Sequence, residues 1–171
     1  MDGSISPLHC MRVWRGVIAG LVGGVIAAGA MSVVHKGLSR PQAPTAEQNQ
    51  DDATVKVADG IARWLLRRPL PEHAKPVASN IVHYAFGASV GAVYGGVAEL
   101  VPRVTMMAGV PFGLAVWLGA HVVTVPALGL AEPPTRQPRA KEGLELLLHV
   151  VYGAVTETLR RLTRRALSPR V

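Results

Sequence analysis

Long stretches without a charged residue constrain the fold of this chain more than any other feature. They cover residues 17–34, 77–98 and 104–131. Each is long enough to cross the roughly 30 Å hydrocarbon core of a bilayer as a helix. Charged residues make up 17% of the chain, against about 25% in ordinary soluble domains, and they crowd between these stretches. The sequence therefore predicts an all-α integral membrane protein.

A fourth apolar segment, residues 143–156, contains Glu145 and His149 and is short for a span. The arginines that follow it can extend their long side chains to the interface. A helix lying on the membrane surface is the alternative, but one stripe of polar groups favours a span with a partner inside a bundle. We thus predict one membrane domain over residues 1–171, with about four transmembrane helices at roughly 14–34, 77–100, 104–130 and 143–162.

Three further expectations concern the topology and the regularity of these helices. With four spans both termini share a side, and the basic residues close to the helix ends favour the cytoplasm. Ala28-Gly29-Ala30 also resembles a signal-peptide cleavage site, so removal of the first helix is an alternative. Pro126, deep in the third stretch, is expected to kink or end its helix.

A polar segment at residues 35–76 separates the first two spans. Its first half, residues 40–52, is typical of a flexible loop. Its second half predicts an amphipathic helix over residues 54–68, which would lie in the membrane interface. A short helix packed on the end of the bundle explains the same pattern equally well.

The charge pattern and the single cysteine exclude several classes of function. The formal charge is +7, and five arginines occupy the end of the chain: Arg160, Arg161, Arg164, Arg165 and Arg170. Because no nucleic-acid-binding motif accompanies them, contact with anionic lipid headgroups is the favoured interpretation, with no nucleic acid partner. Cys10 alone provides no disulfide or redox motif. No nucleophile, phosphate-loop or nucleotide-binding motif is present, so we expect neither an enzyme nor a cofactor.

Glycines spaced four apart predict close helix packing. In membranes helices associate through small residues that let their backbones approach. The candidates are Gly16, Gly20 and Gly24 in the first helix, Gly87, Gly91 and Gly95 in the second, and Gly109 and Gly113 in the third. These faces could join helices within one chain, in a homo-oligomer or with partner membrane helices.

Three histidines lie within the apolar stretches: His83, His121 and His149. Ionisable groups at membrane depth are costly, so each needs a reason. Interhelical hydrogen bonds that fix helix register are one explanation. Proton or ion handling is the second, because histidine titrates near neutrality and Glu99, Glu145 and Glu157 could serve as relay partners. Haem or metal binding is the third, although no ligands have metal-site spacing.

Two local pairings are also expected. Glu99 precedes Arg103 by one turn, and Glu145 precedes His149 by one turn. Side chains four apart on a helix are neighbours, so each pair could interact.

The second half of the chain carries a pattern that begins with His83-Tyr84-Ala85-Phe86 and runs to Arg165. It continues through Tyr94, Ala98-Glu99, Pro102-Arg103, Gly109, Gly113, His121, Pro126, Gly129-Leu130, Glu145, His149, Glu157 and Arg160-Arg161. This pattern resembles the YagU family of bacterial inner-membrane proteins, a family of unknown function. Residues 16–44 resemble it more loosely, and residues 45–76 depart from it. The resemblance implies a helical protein of the bacterial inner membrane. It also makes six residues the first to test: His83, Glu99, His121, Glu145, His149 and Glu157.

Two hypotheses of different class follow. The first is a non-enzymatic inner-membrane protein whose buried His/Glu stripe senses or conducts protons or small ions. The second is a structural or assembly protein that binds partner helices through its glycine faces. Haem or metal binding is the third and weakest.

Overall fold

The computed structural model describes residues 7–38 and 52–167. Within these ranges the chain is helical and contains no strand, as predicted. The predicted flexible loop lies outside the described residues except for Asp52. The helices are α1 (Pro7–Leu38), α2 (Ala53–Leu66), α3 (Lys75–Leu100), α4 (Val110–Val116), α5 (Val125–Ala127) and α6 (Arg139–Ala166). Short 3-10 helices cover Glu72–Ala74, Pro102–Gly109 and Pro134–Arg136, and a π-helix covers Trp117–Thr124.

Three helical segments are long and apolar enough to cross a membrane: Cys10–Leu38, Glu72–Leu100 and Pro102–Ala127. They correspond to the first three predicted spans. Helix α6 is longer than predicted, because its charged ends continue the helix beyond residues 143–162. Because those same charges give α6 a low mean hydropathy, it is not among the three segments apolar enough to cross a membrane.

Helices α1 and α3 pack along their glycines in antiparallel directions. Gly16 faces Gly95, Gly20 faces Gly91 and Gly24 faces Gly87. The backbones approach so closely that a Cβ added to Gly91 would lie 2.8 Å from the Cα of Gly24. These two glycine faces therefore meet within one chain.

Helix α6 packs on α4 and α1 through further small residues. A Cβ added to Gly153 would lie 2.8 Å from the Cα of Gly113. One added to Gly23 of α1 would lie 2.7 Å from the carbonyl oxygen of Thr156. Ala27 and Ala28 are fully buried beside this contact. The core of the bundle is thus built from small side chains and close backbone contacts.

The third predicted span, residues 104–130, is not one regular helix. Met107, Ala108 and Gly109 adopt left-handed backbone conformations, with φ of 50°, 53° and 82°. Regular helix begins only at Val110, with Pro111 in the first turn, where a missing N–H is tolerated. It ends at Ala127, shortly before Gly129, whose φ is 68°. The regular helix of this span is therefore shorter at both ends than the predicted span.

The middle of this span is π-helical from Trp117 to Thr124. Pro126 has no N–H, so the α-helical bond to the carbonyl of Val122 cannot form. The Thr124 hydroxyl donates to the carbonyl oxygen of Gly119 at 2.7 Å. The helix ends at Ala127, one residue after Pro126, as expected, and the π-helical segment before it contains His121.

Helix α2 ends at Leu66, two residues earlier than predicted, because Arg67 is left-handed with φ 55°. Ala58 and Ala62 are buried, and the Thr54 hydroxyl bonds the Ser79 hydroxyl of α3 at 2.7 Å. Trp64 remains 80% exposed. The helix thus packs on α3, as expected for a helix at the end of the bundle. It also leaves an apolar edge uncovered, as expected for a helix in the membrane interface.

Candidate functional site

A polar cavity of about 310 Å³ lies between α1, α3 and α6. Its walls include Ser32 of α1, Asn80 and His83 of α3, and Glu145 and His149 of α6. The sequence placed these groups in three separate helices. The fold brings His83, Glu145 and His149 around one space inside the bundle, which we call the polar cavity. Ionisable groups gathered in this way are typical of proton and ion pathways.

Two histidines of this cavity are fixed by backbone carbonyls. His149 Nδ1 donates to the carbonyl oxygen of Glu145 at 2.8 Å. His83 Nε2 donates to the carbonyl oxygen of Ala28 at 3.2 Å. A carbonyl can only accept, so these bonds decide which ring nitrogen carries the proton. The predicted neighbours Glu145 and His149 do bond, but through the backbone oxygen rather than the carboxylate.

His121 lies beside the polar cavity and does not line it. Its Nε2 is 3.2 Å from a carboxylate oxygen of Glu142, at the start of α6. Its ring centre is 6.1 Å from that of His149 and 6.4 Å from that of Trp117, on which it stacks. The Nε1 of Trp117 is buried and has no hydrogen-bond partner among the described residues. The three histidines therefore occupy one region of the bundle.

Polar side chains also line the polar cavity at the end of the bundle that carries α2. They are the hydroxyl groups of Thr54 and Ser79 and the imidazole of His35. The hydrogen bond between the Thr54 and Ser79 hydroxyls joins α2 to the cavity wall. The cavity is therefore bordered by groups that can pass or accept a proton.

Glu157 lies at the opposite end of the bundle, away from the polar cavity. Its side chain is 1% exposed. Its carboxylate accepts from the Tyr94 hydroxyl at 2.9 Å, from Arg160 Nε at 2.7 Å and from Arg161. Arg161 also donates to the carbonyl oxygen of Thr105 at 2.9 Å. This buried network joins α3, α6 and the 3-10 helix between α3 and α4.

Glu99 belongs to the same end of the bundle. Its carboxylate accepts from Arg164 at 2.8 Å and lies 3.7 Å from both Arg160 and Arg12. The predicted pairing with Arg103 is wrong, because α3 ends at Leu100 and the chain turns into a 3-10 helix. Arg103 is therefore not one helical turn after Glu99.

Sequence reasoning missed the main partners in this network. It gave Tyr94 as one position of the pattern that begins at His83, without a role of its own. Arg164 and Arg12 reach Glu99 from other helices, at separations that no local spacing rule covers. The available signal was chemical, since a tyrosine in an apolar helix usually finds a partner for its hydroxyl.

Among the described residues, no three histidine, cysteine, aspartate or glutamate side chains come together in a way that could hold a metal ion. The part of the chain that the structure describes thus gives the haem or metal hypothesis no ligand set.

One family model, described as a protein of unknown function (DUF1440), matches residues 64–158. The matched range runs from the end of α2 to α6 and contains all six residues singled out for proton or ion handling. No curated protein matches the chain, and no solved structure matches it.

Proposed function

We propose a function for this chain, which belongs to the DUF1440 family of proteins of unknown function. It is a non-enzymatic membrane protein whose role is to sense or conduct protons or small ions. The observation that carries the proposal is the polar cavity, where His83, His149 and Glu145 share one space between three helices. The pattern that begins at His83 supports a narrower relation to YagU and a place in the bacterial inner membrane.

A multi-pass arrangement in which α6 also crosses the bilayer is part of the proposal. Helix α6 packs on α1 and α4, and its side chains reach α3 at Tyr152, bonded to Gly87 in the middle of both helices, and at Arg164, bonded to Glu99 near their C-terminal ends. Its polar stripe faces these helices instead of lipid. A helix whose polar face is covered by neighbours can cross with a lower mean hydropathy than an isolated one.

The proposal assigns different roles to the six candidate residues. His83, His121, His149 and Glu145 lie in or beside the polar cavity and would bind the proton or ion. Imidazole suits this task because its ordinary pKa lies close to physiological pH. Glu99 and Glu157 are each bonded to arginines, and these ion pairs hold their side chains in place. We therefore assign these two residues a structural role at the opposite end.

The glycine-face hypothesis has less support. The glycines of α1 and α3 face each other within the chain, and Gly113 faces Gly153 of α6. An assembly role, or a homo-oligomer, would therefore need a different surface for partner helices.

Trp117 offers a direct test, because its ring stacks on His121 and a protonated imidazole quenches indole fluorescence. The variant with Trp14→Phe and Trp64→Phe leaves Trp117 as the single reporter in detergent micelles. We expect its emission to change across the pH range in which histidine titrates, and His121→Gln to remove the change.

A flux measurement separates sensing from conduction. Protein in liposomes loaded with a pH-sensitive dye would carry protons down an imposed gradient if it conducts. Replacing His83 and His149 with Gln should then abolish the flux, whereas His73→Gln, at an exposed histidine outside the cavity, should not. A well-folded His83, His121 and His149 triple variant with unchanged fluorescence and flux would refute the proposal.

A further inference from the structure

A second, larger cavity of about 660 Å³ lies between α2, α3 and the helical span that contains α4 and α5. We call it the lateral cavity. Apolar side chains form most of its wall, among them Val57 of α2, Val90 of α3 and Phe112 of α4. Its volume falls within the range of small-molecule binding sites. Protein interiors are normally close-packed, so a space of this size between helices calls for an occupant.

The position of the lateral cavity points to an occupant from the bilayer. Its walls come from Glu72–Leu100 and Pro102–Ala127, the second and third segments able to cross a membrane. Phe86, on the wall, is 48% exposed. An apolar chain that enters from the surrounding lipid would therefore find matching surfaces on both sides.

All three membrane histidines also line the lateral cavity. His83 and His149 line both cavities, so the two spaces meet at these residues. His149 uses Nδ1 as a donor to Glu145, which leaves Nε2 as an acceptor in the neutral ring. His83 and His121 each use Nε2, which leaves Nδ1 as an acceptor. None of these acceptor nitrogens has a hydrogen-bond partner among the residues that the structure describes.

A wall of acceptors selects a ligand that donates an O–H group. An acidic O–H can also give its proton to an imidazole. The ammonium of Lys56, which bonds the carbonyl oxygen of the lining residue Leu130 at 2.7 Å, is then a cation at the cavity in which the carboxylate forms. The other charged or titratable groups here are Glu142 beside His121, and Glu145 and His35 at the polar cavity. The carboxylates of Glu142 and Glu145 lie close to the histidines and would repel an anion, so the acid must enter protonated.

We infer that the lateral cavity binds a long-chain fatty acid in its protonated form, with the chain between α3 and α4 and the carboxyl group at the histidines. The carboxyl O–H bond breaks as an N–H bond forms on one imidazole, so a neutral pair becomes a carboxylate and an imidazolium. This inference rests on the proposed function, for which it names a source of the proton.

Fluorescence quenching by a brominated fatty acid tests the inference. The probe is bromostearic acid added to the full chain with Trp14→Phe and Trp64→Phe, in micelles, so that Trp117 beside His121 reports. We expect saturable quenching. The methyl ester of the same acid lacks the O–H donor and should bind about tenfold more weakly, the loss of one hydrogen bond to a group that becomes charged. Equal quenching by acid and ester would overturn the inference.

Two glycines provide matched variants. A Cβ added to Gly119 or to Gly143 meets no atom within 4 Å, so a leucine should fold at either place. Gly119 lines the lateral cavity and Gly143 does not. Gly119→Leu should therefore weaken the quenching about tenfold, whereas Gly143→Leu should leave it unchanged. Unchanged binding in Gly119→Leu would overturn the assignment of the site.

A competing lipid-soluble quinol distinguishes the head group. If the quinol displaces the bromo acid at a lower concentration than unlabelled stearic acid does, the inferred ligand class is wrong. The pH response of ligand-free Trp117 is a separate measurement. If the fatty acid does not bind but the Trp117 emission still changes with pH, only this inference is wrong. If the acid binds but the Trp117 emission does not change with pH, only the proposed function is wrong.

Discussion

The hydroxyl of Tyr152 donates a hydrogen bond to the backbone carbonyl oxygen of Gly87 at 2.6 Å. Both residues are buried, and the bond joins α6 to α3 where α3 also faces α1. Gly87 can serve two neighbours because it has no side chain: its bare backbone lies against Gly24 and its oxygen accepts from Tyr152. The three long helices are thus connected through one glycine.

Replacing Tyr152 with Phe should remove this bond and keep the ring. We expect the free energy of unfolding to fall by about 1 kcal/mol, a typical net value for a buried hydrogen bond. Reversible unfolding in mixed micelles measures it. Tyr84→Phe is the control, because Tyr84 is 37% exposed and should change by less than about 0.5 kcal/mol. Equal losses in both variants would contradict the assigned role of Tyr152.

Replacing Gly91 with Ala should separate α1 from α3. The added Cβ would lie 2.8 Å from the Cα of Gly24, a backbone atom that cannot move aside. We expect a loss of about 1–3 kcal/mol from overpacking, measured by thermal unfolding in micelles. Gly60→Ala in α2 meets no atom within 4 Å and should stabilise its helix by up to about 1 kcal/mol. A neutral Gly91→Ala would show that the two helices are not in close contact.

Replacing Glu157 with Gln should destabilise the end of the bundle that carries the arginines. The amide keeps the shape but removes the carboxylate nearest to Arg160, which is 7% exposed, and leaves it only the more distant Glu99 at 3.7 Å. Breaking a buried ion pair on one side costs about 3–5 kcal/mol. The neighbouring Thr158→Ala, at an exposed position on α6, should cost far less in the same unfolding measurement. Similar stability of the two variants would argue against a buried ion network.

Acid should loosen the end of α2 through Asp59. Hydrogen bonds from Arg63 and from the backbone N–H of Leu70 lower the pKa of the Asp59 carboxyl below its ordinary 3.8. A pKa lowered in the folded state stabilises it above the ordinary value, and the benefit is lost as the pH falls through the lowered value. The protection factor of the Leu70 amide, its hydrogen exchange rate relative to that of an unfolded chain at the same pH, should therefore fall in acid.

The variant Asp59→Asn provides the control for this titration. It should exchange faster than the native protein near neutral pH and lose the acid-dependent change. Glu72→Gln, which removes an exposed partner of Lys75, should keep it. If Asp59→Asn retained the full acid response, another group would be responsible.

Reporter fusions test whether α6 crosses the membrane. If it does, fusions after Arg103 and Arg165 report one side, and fusions after Pro71 and Arg136 report the other. The reason is that α6 packs on α1 and α4 and reaches α3 through both the Tyr152–Gly87 bond and the Arg164–Glu99 bond. Opposite results for Arg103 and Arg165 would place α6 on the surface and expose its Glu/His stripe to water.

Much of the fold was readable from local patterns, because the physics behind those patterns is local. The uncharged stretches mark the three segments long and apolar enough to cross a membrane, since hydrocarbon excludes charge over a fixed thickness. The four-residue spacing of Gly87, Gly91 and Gly95 places them on one helix face whatever the partner is. Pro126 marks a break in α-helical bonding because it has no N–H.

Only the tertiary structure decided which faces and side chains meet. The sequence placed Gly91 on a packing face but could not say that Gly20 of the same chain covers it. It suggested Arg103 for Glu99 by spacing, whereas Arg164, on another helix, makes the bond. It set His83 and His149 in separate helices, and the fold joined them in one cavity. The reason is physical. Spacing along a helix fixes only the direction in which each side chain points from the helix axis, whereas contacts between helices depend on the distance and the angle between their axes.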